Sequence, residues 1–146
     1  MNESMETMAK GEAALVHGGT ETILLVDDSV PIRKLMRRFL ADSGYTVLDS
    51  GDPAEALRKA AEYPGPIALI ITDMALPGFS GSALAEKVIA ARPGTKVLYA
   101  SGYKLDLNIP SRVLGEDYAF LAKPFTHEEL LRLVRRLLDS SASPTH

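Results

Sequence analysis

One stretch constrains the fold more than any other. Ile67-Ala68-Leu69-Ile70-Ile71-Thr72 is almost wholly apolar and rich in β-branched residues, then stops at Asp73, with Pro77 and Gly78 close behind. The run is too short for a helix, and its unbroken apolar character suits a strand covered on both faces, as in a parallel sheet flanked by helices. Asp73 then marks the point where that strand leaves the sheet. In open α/β sheets this carboxyl edge is where ligands and chemistry collect. An isolated Asp at such a place is ordinarily a turn-capping carboxylate, so its meaning depends on what the other strands deliver to the same edge.

The rest of the chain alternates between strand and helix patterns. Thr22-Ile23-Leu24-Leu25-Val26 reads as a buried strand closed by Asp27-Asp28. Ser29 and Pro31 signal a helix start. Ile32, Leu35, Met36, Phe39 and Leu40 form its inner stripe, with Arg33, Lys34, Arg37 and Arg38 expected on the outer side. After Ser43-Gly44, a second strand is expected over Tyr45-Thr46-Val47-Leu48, and Asp52-Pro53 caps a helix packing through Ala56, Leu57, Ala60 and Ala61. Beyond the central strand, Ser80 or Ser82 caps a third helix with Leu84, Val88 and Ile89 inside, ended by Arg92-Pro93-Gly94. Lys96-Val97-Leu98-Tyr99-Ala100 is the fourth strand and Tyr118-Ala119-Phe120-Leu121-Ala122 the fifth. Between them Pro110 and Gly115 limit any helix to a short or irregular one. Thr126 and Glu129 predict a capping box for the last helix.

Five strand–helix units in this order predict a doubly wound α/β fold: a five-stranded parallel sheet with helices on both faces and right-handed crossovers, flavodoxin-like. Residues 1–19 read as a flexible tail or linker, 20–139 as one domain and 140–146 as a frayed end. At 146 residues one such domain is the natural expectation. A net charge of −3 without a basic block gives no footprint for nucleic acid. The absence of cysteine excludes disulfides and thiolate chemistry. No apolar run approaches the roughly 18 residues of a membrane span, and the start is polar rather than leader-like, so a cytoplasmic location is expected.

Aligning the strand ends gathers Asp27 and Asp28 from the first strand, Asp73 from the third, Ser101 from the fourth and Lys123 from the fifth. Clustered carboxylates repel one another unless a cation shares the site, and an all-oxygen donor set favours a hard ion such as Mg2+. A lysine and a hydroxyl beside them suit a phosphoryl group, with Asp73 as the nucleophile that forms an acyl phosphate. Each piece alone has an ordinary structural explanation: a helix cap, a turn, a solvated loop. Their joint appearance at successive strand ends is what carries weight.

Four motifs, Ile23-Leu24-Leu25-Val26-Asp27-Asp28, Thr72-Asp73-Met74-Ala75-Leu76-Pro77-Gly78, Tyr99-Ala100-Ser101-Gly102-Tyr103 and Phe120-Leu121-Ala122-Lys123-Pro124-Phe125, closely resemble receiver domains of two-component response regulators. The likeness spans residues 20–139 and is most similar to the receivers attached to hybrid sensor histidine kinases. The resemblance implies that Asp73 is the phosphoacceptor, taking phosphate from the phosphohistidine of a sensor histidine kinase or histidine phosphotransfer protein. It implies Mg2+ held by Asp28, Asp73 and the Ala75 carbonyl, with Asp27 acting through water or in support. Lys123 would pair with the phosphate, and the Lys123–Pro124 bond would be cis. Ser101 would swing toward the phosphoryl group, and Phe120 would follow as the rotating aromatic of the switch, changing a surface formed by the 103–115 segment, the fifth strand and the last helix. The domain would assist its own phosphorylation and dephosphorylation without being an enzyme in the ordinary sense.

Two features depart from the family pattern. Phe120 replaces a commoner Tyr, and Pro110 interrupts the segment many transcriptional receivers use to dimerise. Other readings stay open beside this one. The same fold could act as a pseudo-receiver that binds partners without phosphorylation. A phosphoaspartate phosphohydrolase of the haloacid-dehalogenase type fits poorly, because the acidic pair comes first here and position 75 is Ala. No glycine-rich nucleotide-binding loop occurs. His127, in the first turn of the last helix, is expected to be solvated. Arg132, Arg135 and Arg136 are expected to face solvent. The last helix has more apolar width than one core face needs, which makes Leu131 and Leu138 candidates for a partner surface. No output domain follows Asp139 in this sequence, so output is expected through protein contacts.

Overall fold

The computed structural model describes residues 18–76, 79–101 and 118–140. In chain order the elements are β1 (Thr22–Val26), α1 (Val30–Asp42), β2 (Thr46–Ser50), α2 (Pro53–Glu62), β3 (Leu69–Asp73), β4 (Ala75–Leu76), β5 (Phe79–Ser80), α3 (Gly81–Ala91), β6 (Lys96–Ser101), β7 (Tyr118–Ala122) and α4 (His127–Ser140). β1, β2, β3, β6 and β7 form a parallel sheet in the order β2-β1-β3-β6-β7, while β4 and β5 pair antiparallel. This is the doubly wound, flavodoxin-like architecture, and its strand order reverses direction between β1 and β3.

The period-two geometry of the strands explains why their sequences are apolar throughout. Ile23, Leu25, Leu69, Ile71 and Leu98 point to one face, against Met36 and Leu40 of α1 and Leu130, Val134 and Leu137 of α4. Leu24, Val26, Ile70, Val97 and Tyr99 point to the other, against Ala56 and Ala60 of α2 and Leu84, Ala85 and Val88 of α3. Two cores sandwich one sheet, so neither face of the central strands can be polar. Each helix is started by a side chain that takes an orphan amide. Ser29 accepts from Ile32, Asp52 from Glu55 and Ser80 from Ala83, while Thr126 and Glu129 exchange bonds of 2.9 and 3.0 Å in a capping box. Among the described residues no helix is long and apolar enough to cross a membrane.

Several sequence expectations are corrected. β2 begins at Thr46 and runs on through Asp49 and Ser50, because its backbone pairing with β1 continues to Val26 beyond the apolar run. Leu35 is 44% exposed rather than part of the inner stripe. At 3.6 residues per turn it lies about 120° around α1 from the direction shared by Met36 and Leu40. The same geometry places Arg33 only about 20° from Leu40, and Arg33 is correspondingly covered rather than on the outer side. On α4 the buried residues Leu130, Leu131, Val134, Leu137 and Leu138 fill an arc of about 120°. Leu131 and Leu138 therefore belong to the core, not to an open partner surface. His127 is exposed but not fully solvated: its ring lies 5.0 Å from that of Phe39.

Arg135 does not face solvent either. Its guanidinium donates to both carboxylate oxygens of Glu21 at 3.2 and 2.8 Å, to the Gly18 carbonyl at 2.9 Å and to Asp139 at 3.0 Å. The lead-in to β1 is thereby latched to the last helix. The Arg135 hydrogen bond holds the Glu21 carboxyl below its usual range, against the opposing effect of burial. A group with a depressed folded pKa contributes stability above its unfolded pKa and loses that contribution as pH falls through the folded one. Arg135→Ala is therefore expected to cost about 1 kcal/mol at neutral pH, the charged bonds being discounted for partial exposure. The gap from the parent should close as pH drops below 4.5. Paired thermal melts at pH 7 and pH 3.5 check this, and a gap that persists or widens in acid would contradict it.

Candidate functional site at the carboxyl edge of the sheet

β1 and β3 are adjacent and in register, Val26 facing Thr72, so the residues that follow meet at the edge where the strand order reverses. Asp27 is buried: its amide donates to Ser50 at 3.1 Å, and its Oδ1 accepts from the Ser29 amide at 2.9 Å, turning the chain into α1. Asp28 is exposed and Asp73, the last residue of β3, is half-buried. The three carboxylates each place an oxygen within 4.8 Å of the others.

Lys123 reaches this cluster from the end of β7, two strands away in the sheet. Its Nζ donates to Asp27 Oδ2 at 2.9 Å and to Asp73 Oδ2 at 3.2 Å, and the Lys123–Pro124 peptide is cis. Burial alone would lower the lysine pKa, but the hydrogen bonds and negative charges of Asp27 and Asp73 outweigh it and raise the pKa overall. One ammonium against three carboxylates leaves excess negative charge held close together. With oxygen donors only, and with Asp28 open to solvent, the set suits a hard divalent cation that keeps part of its water shell. The residues fit a Mg2+ site in donor chemistry and spacing.

Of the remaining predicted residues, Ala75 and Ser101 have their backbones at this end of the sheet, and Phe120 lies on β7 two residues before its end. Ala75 opens β4, two positions beyond Asp73, and pairs with Ser80. Ser101 ends β6 opposite Ala122, immediately before Lys123, which brings it to the same edge. Phe120 pairs with Tyr99 across β6 and β7, and its half-buried ring lies 5.6 Å from Tyr99 and 5.5 Å from Tyr118. Gly102, Tyr103 and the 103–115 segment of the expected switching surface lie outside the described residues.

Four further contributors lie outside the predicted site residues. Gly81 starts α3 directly against the backbone of Asp73 and Met74. Arg33 donates to the Asp27 carbonyl at 2.7 Å and to Asp49 at 3.1 Å, and Gly51 leaves the space through which it passes. Tyr99 is fully buried, and its hydroxyl has no hydrogen-bond partner among the described residues. Burial, aided by the charge of Glu86, pushes that hydroxyl up to about 12. A helical wheel flags Arg33. The other three depend on how separate elements pack and leave no local signal.

Known proteins resemble this chain in sequence and fold. The chain matches the response regulator receiver domain over residues 23–135. It is 30% identical over 130 residues to the sensor kinase CckA of Brucella abortus, covering 89% of this chain but 14% of the kinase. It is 27% identical over 116 residues to the response regulator receiver protein CpdR of the same organism, covering 80% of this chain and 95% of that protein. Thus the chain spans only a small part of some relatives and nearly the whole of another. Among solved structures, the receiver domain of the hybrid histidine kinase CckA superposes with a TM-score of 0.68 at 32% identity, covering 80% of this chain and 98% of that one. A CheY-like receiver domain protein from Methanospirillum hungatei superposes with a TM-score of 0.73 at 29% identity, covering 84% and 97%. With its sheet order, its acidic edge and the family match in agreement, the chain belongs to the response regulator receiver domain family.

Proposed function

We propose that the protein is a phosphoacceptor switch of a two-component phosphorelay, with Asp73 as the residue that carries the phosphoryl group. The observation that carries this reading is the bridge from Lys123 to both Asp27 and Asp73 inside a three-carboxylate cluster. Asp28, Asp73 and the Ala75 carbonyl would hold Mg2+, with Asp27 in support. When bound, the cation neutralises charge on the phosphoryl oxygens during transfer.

The chain's own residues do the rest. An Asp73 oxygen attacks phosphorus in line, the bond from phosphorus to the donor's imidazole nitrogen breaks, and the imidazole leaves with that electron pair. The acyl phosphate formed on Asp73 adds roughly two negative charges at the end of β3. Lys123, already held between two carboxylates, is placed to turn its ammonium toward them. Ser101 would donate to the phosphoryl oxygens, and Phe120 would follow Ser101 and change the surface of β7, α4 and the 103–115 segment. The likeness to CckA and CpdR supports a histidine kinase or histidine phosphotransfer protein as donor and a protein partner downstream.

The test is intact-mass spectrometry after incubation with acetyl phosphate, with and without Mg2+, on the parent and on Asp73→Asn. One labile phosphoryl group that requires both Mg2+ and Asp73 is the expected result. No gain from acetyl phosphate or from a panel of phosphorylated histidine kinases would overturn the reading in favour of a phosphorylation-independent binding module.

A further inference from the structure

The carboxylate of Asp27 is held by Ser29 and Lys123, but the backbone that carries it has a separate mount. Arg33, from the second turn of α1, donates from Nη1 to the Asp27 carbonyl at 2.7 Å and from Nε to Asp49 Oδ2 at 3.1 Å. Asp49, on the edge strand β2, is itself fixed: its own carbonyl accepts from Lys59 of α2, and its carboxylate also faces Arg37 at 3.6 Å. The guanidinium passes where the side chain of residue 51 would be. A Cβ on Gly51 would run into Arg33 Nη1, with Cζ at 3.3 Å and the Asp27 carbonyl oxygen at 3.5 Å. Two arms of one rigid, planar group thus tie β2 to the peptide that joins Asp27 to Asp28.

We infer that Arg33, seated by Asp49 and admitted by Gly51, is a positioning residue that sets the Asp27–Asp28 peptide for cation binding. The inference rests on the reading of Asp27 and Asp28 as part of a Mg2+ site. The carbonyl that Arg33 grips lies in the same peptide plane as the Asp28 amide, so holding it limits the directions from which both carboxylates leave the backbone. Groups that orient ligands in this way commonly change metal affinity by 10- to 100-fold when removed.

Positioning and plain electrostatics predict opposite signs. A guanidinium beside the site repels a divalent cation, so if charge were all that mattered, Arg33→Ala would tighten Mg2+ binding. If Arg33 positions the peptide, the same substitution weakens it. Gly51→Ala provides an independent route, because it changes no charge and forces the guanidinium off its seat.

Titration calorimetry with MgCl2 on the full chain is the measurement, at a temperature where melts show each variant folded. Arg33→Ala and Gly51→Ala should each weaken Mg2+ binding by about ten-fold. The double variant should be no weaker than the worse single one, because both remove the same contact. Arg33→Lys keeps the charge but not the fork, and should fall between the parent and Arg33→Ala. Unchanged or tighter binding in Arg33→Ala, or fully additive losses in the double variant, would overturn the inference while leaving the phosphoacceptor reading in place. A parent protein that binds no Mg2+ would instead overturn that reading, and this inference with it.

Discussion

Lys123→Met is expected to lower unfolding free energy by about 3 kcal/mol in Mg2+-free buffer, the low end for breaking a largely buried ion pair. Methionine keeps an unbranched stem and most of the apolar packing but ends where the ammonium would begin, so the loss isolates the ammonium. The Lys123 side chain is 17% exposed, and its ammonium lies between the side chains of Asp27, 2% exposed, and Asp73, 17% exposed. Without it, carboxylates with oxygens inside 4.8 Å of one another lose the ammonium that bridges two of them. Repulsion that the parent relieves internally then has to be relieved by something from solution. Mg2+ does this in the proposed site. A ligand present at ten times its Kd stabilises the native state by about 1.4 kcal/mol, and removing the lysine that competes for the same oxygens strengthens its hold. The variant should therefore recover a larger part of its stability on adding Mg2+ than the parent gains. Urea unfolding of both proteins, with and without millimolar Mg2+, reads the two effects together. Equal Mg2+ increments in the two proteins would show that the lysine and the cation do not share these carboxylates.

What the sequence makes legible follows from how local each signal is. β1, β3, β6 and β7 are marked by apolar runs whose last residues bear the chemistry, so the strands and the edge they build, Asp27, Asp28, Asp73, Ser101 and Lys123, emerge together. The end of β2 is hidden because Asp49 and Ser50 are polar, and only pairing with β1 makes them strand. Arg33 and Arg135 look like surface arginines on composition, but each lies beside a buried stripe on its helix and finds fixed acceptors outside it, Arg33 on Asp49 of β2 and the Asp27 carbonyl, Arg135 on Glu21 in the lead-in to β1. Leu131 and Leu138 look surplus when the apolar arc is judged against a sheet alone, whereas α4 packs against α1 as well as the sheet. The orphaned hydroxyl of Tyr99 cannot be read at all: a tyrosine in an apolar strand predicts a partner for its oxygen, and the described residues supply none.

Gly81 is the site contributor with the largest structural consequence. Gly81→Ala is expected to lower stability by about 3 kcal/mol and Tm by about 10 °C. Judged on helix propensity alone, the substitution should stabilise by up to about 1 kcal/mol, because alanine is the better helix former. Packing reverses the sign. The amide of Gly81 donates to the Met74 carbonyl at 2.8 Å, which draws the first turn of α3 against the end of β3. An added Cβ would run into the Asp73 carbonyl oxygen, with the Asp73 carbonyl carbon at 2.9 Å and the Met74 Cα at 3.1 Å. All of these are backbone atoms, so no rotamer change relieves the clash, and either α3 or the Asp73 peptide has to move. Moving that peptide moves the carboxylate that is proposed to take the phosphoryl group. A displacement of about 1 Å at a reacting group can cost on the order of a hundred-fold in rate. Calorimetric melts, together with acetyl phosphate incorporation measured at 10 °C, where the variant remains folded, separate the two effects. Stability equal to or above the parent would show that the propensity term wins and that α3 is not pressed against Asp73. Lost stability with unchanged incorporation would show that α3 moves and Asp73 stays.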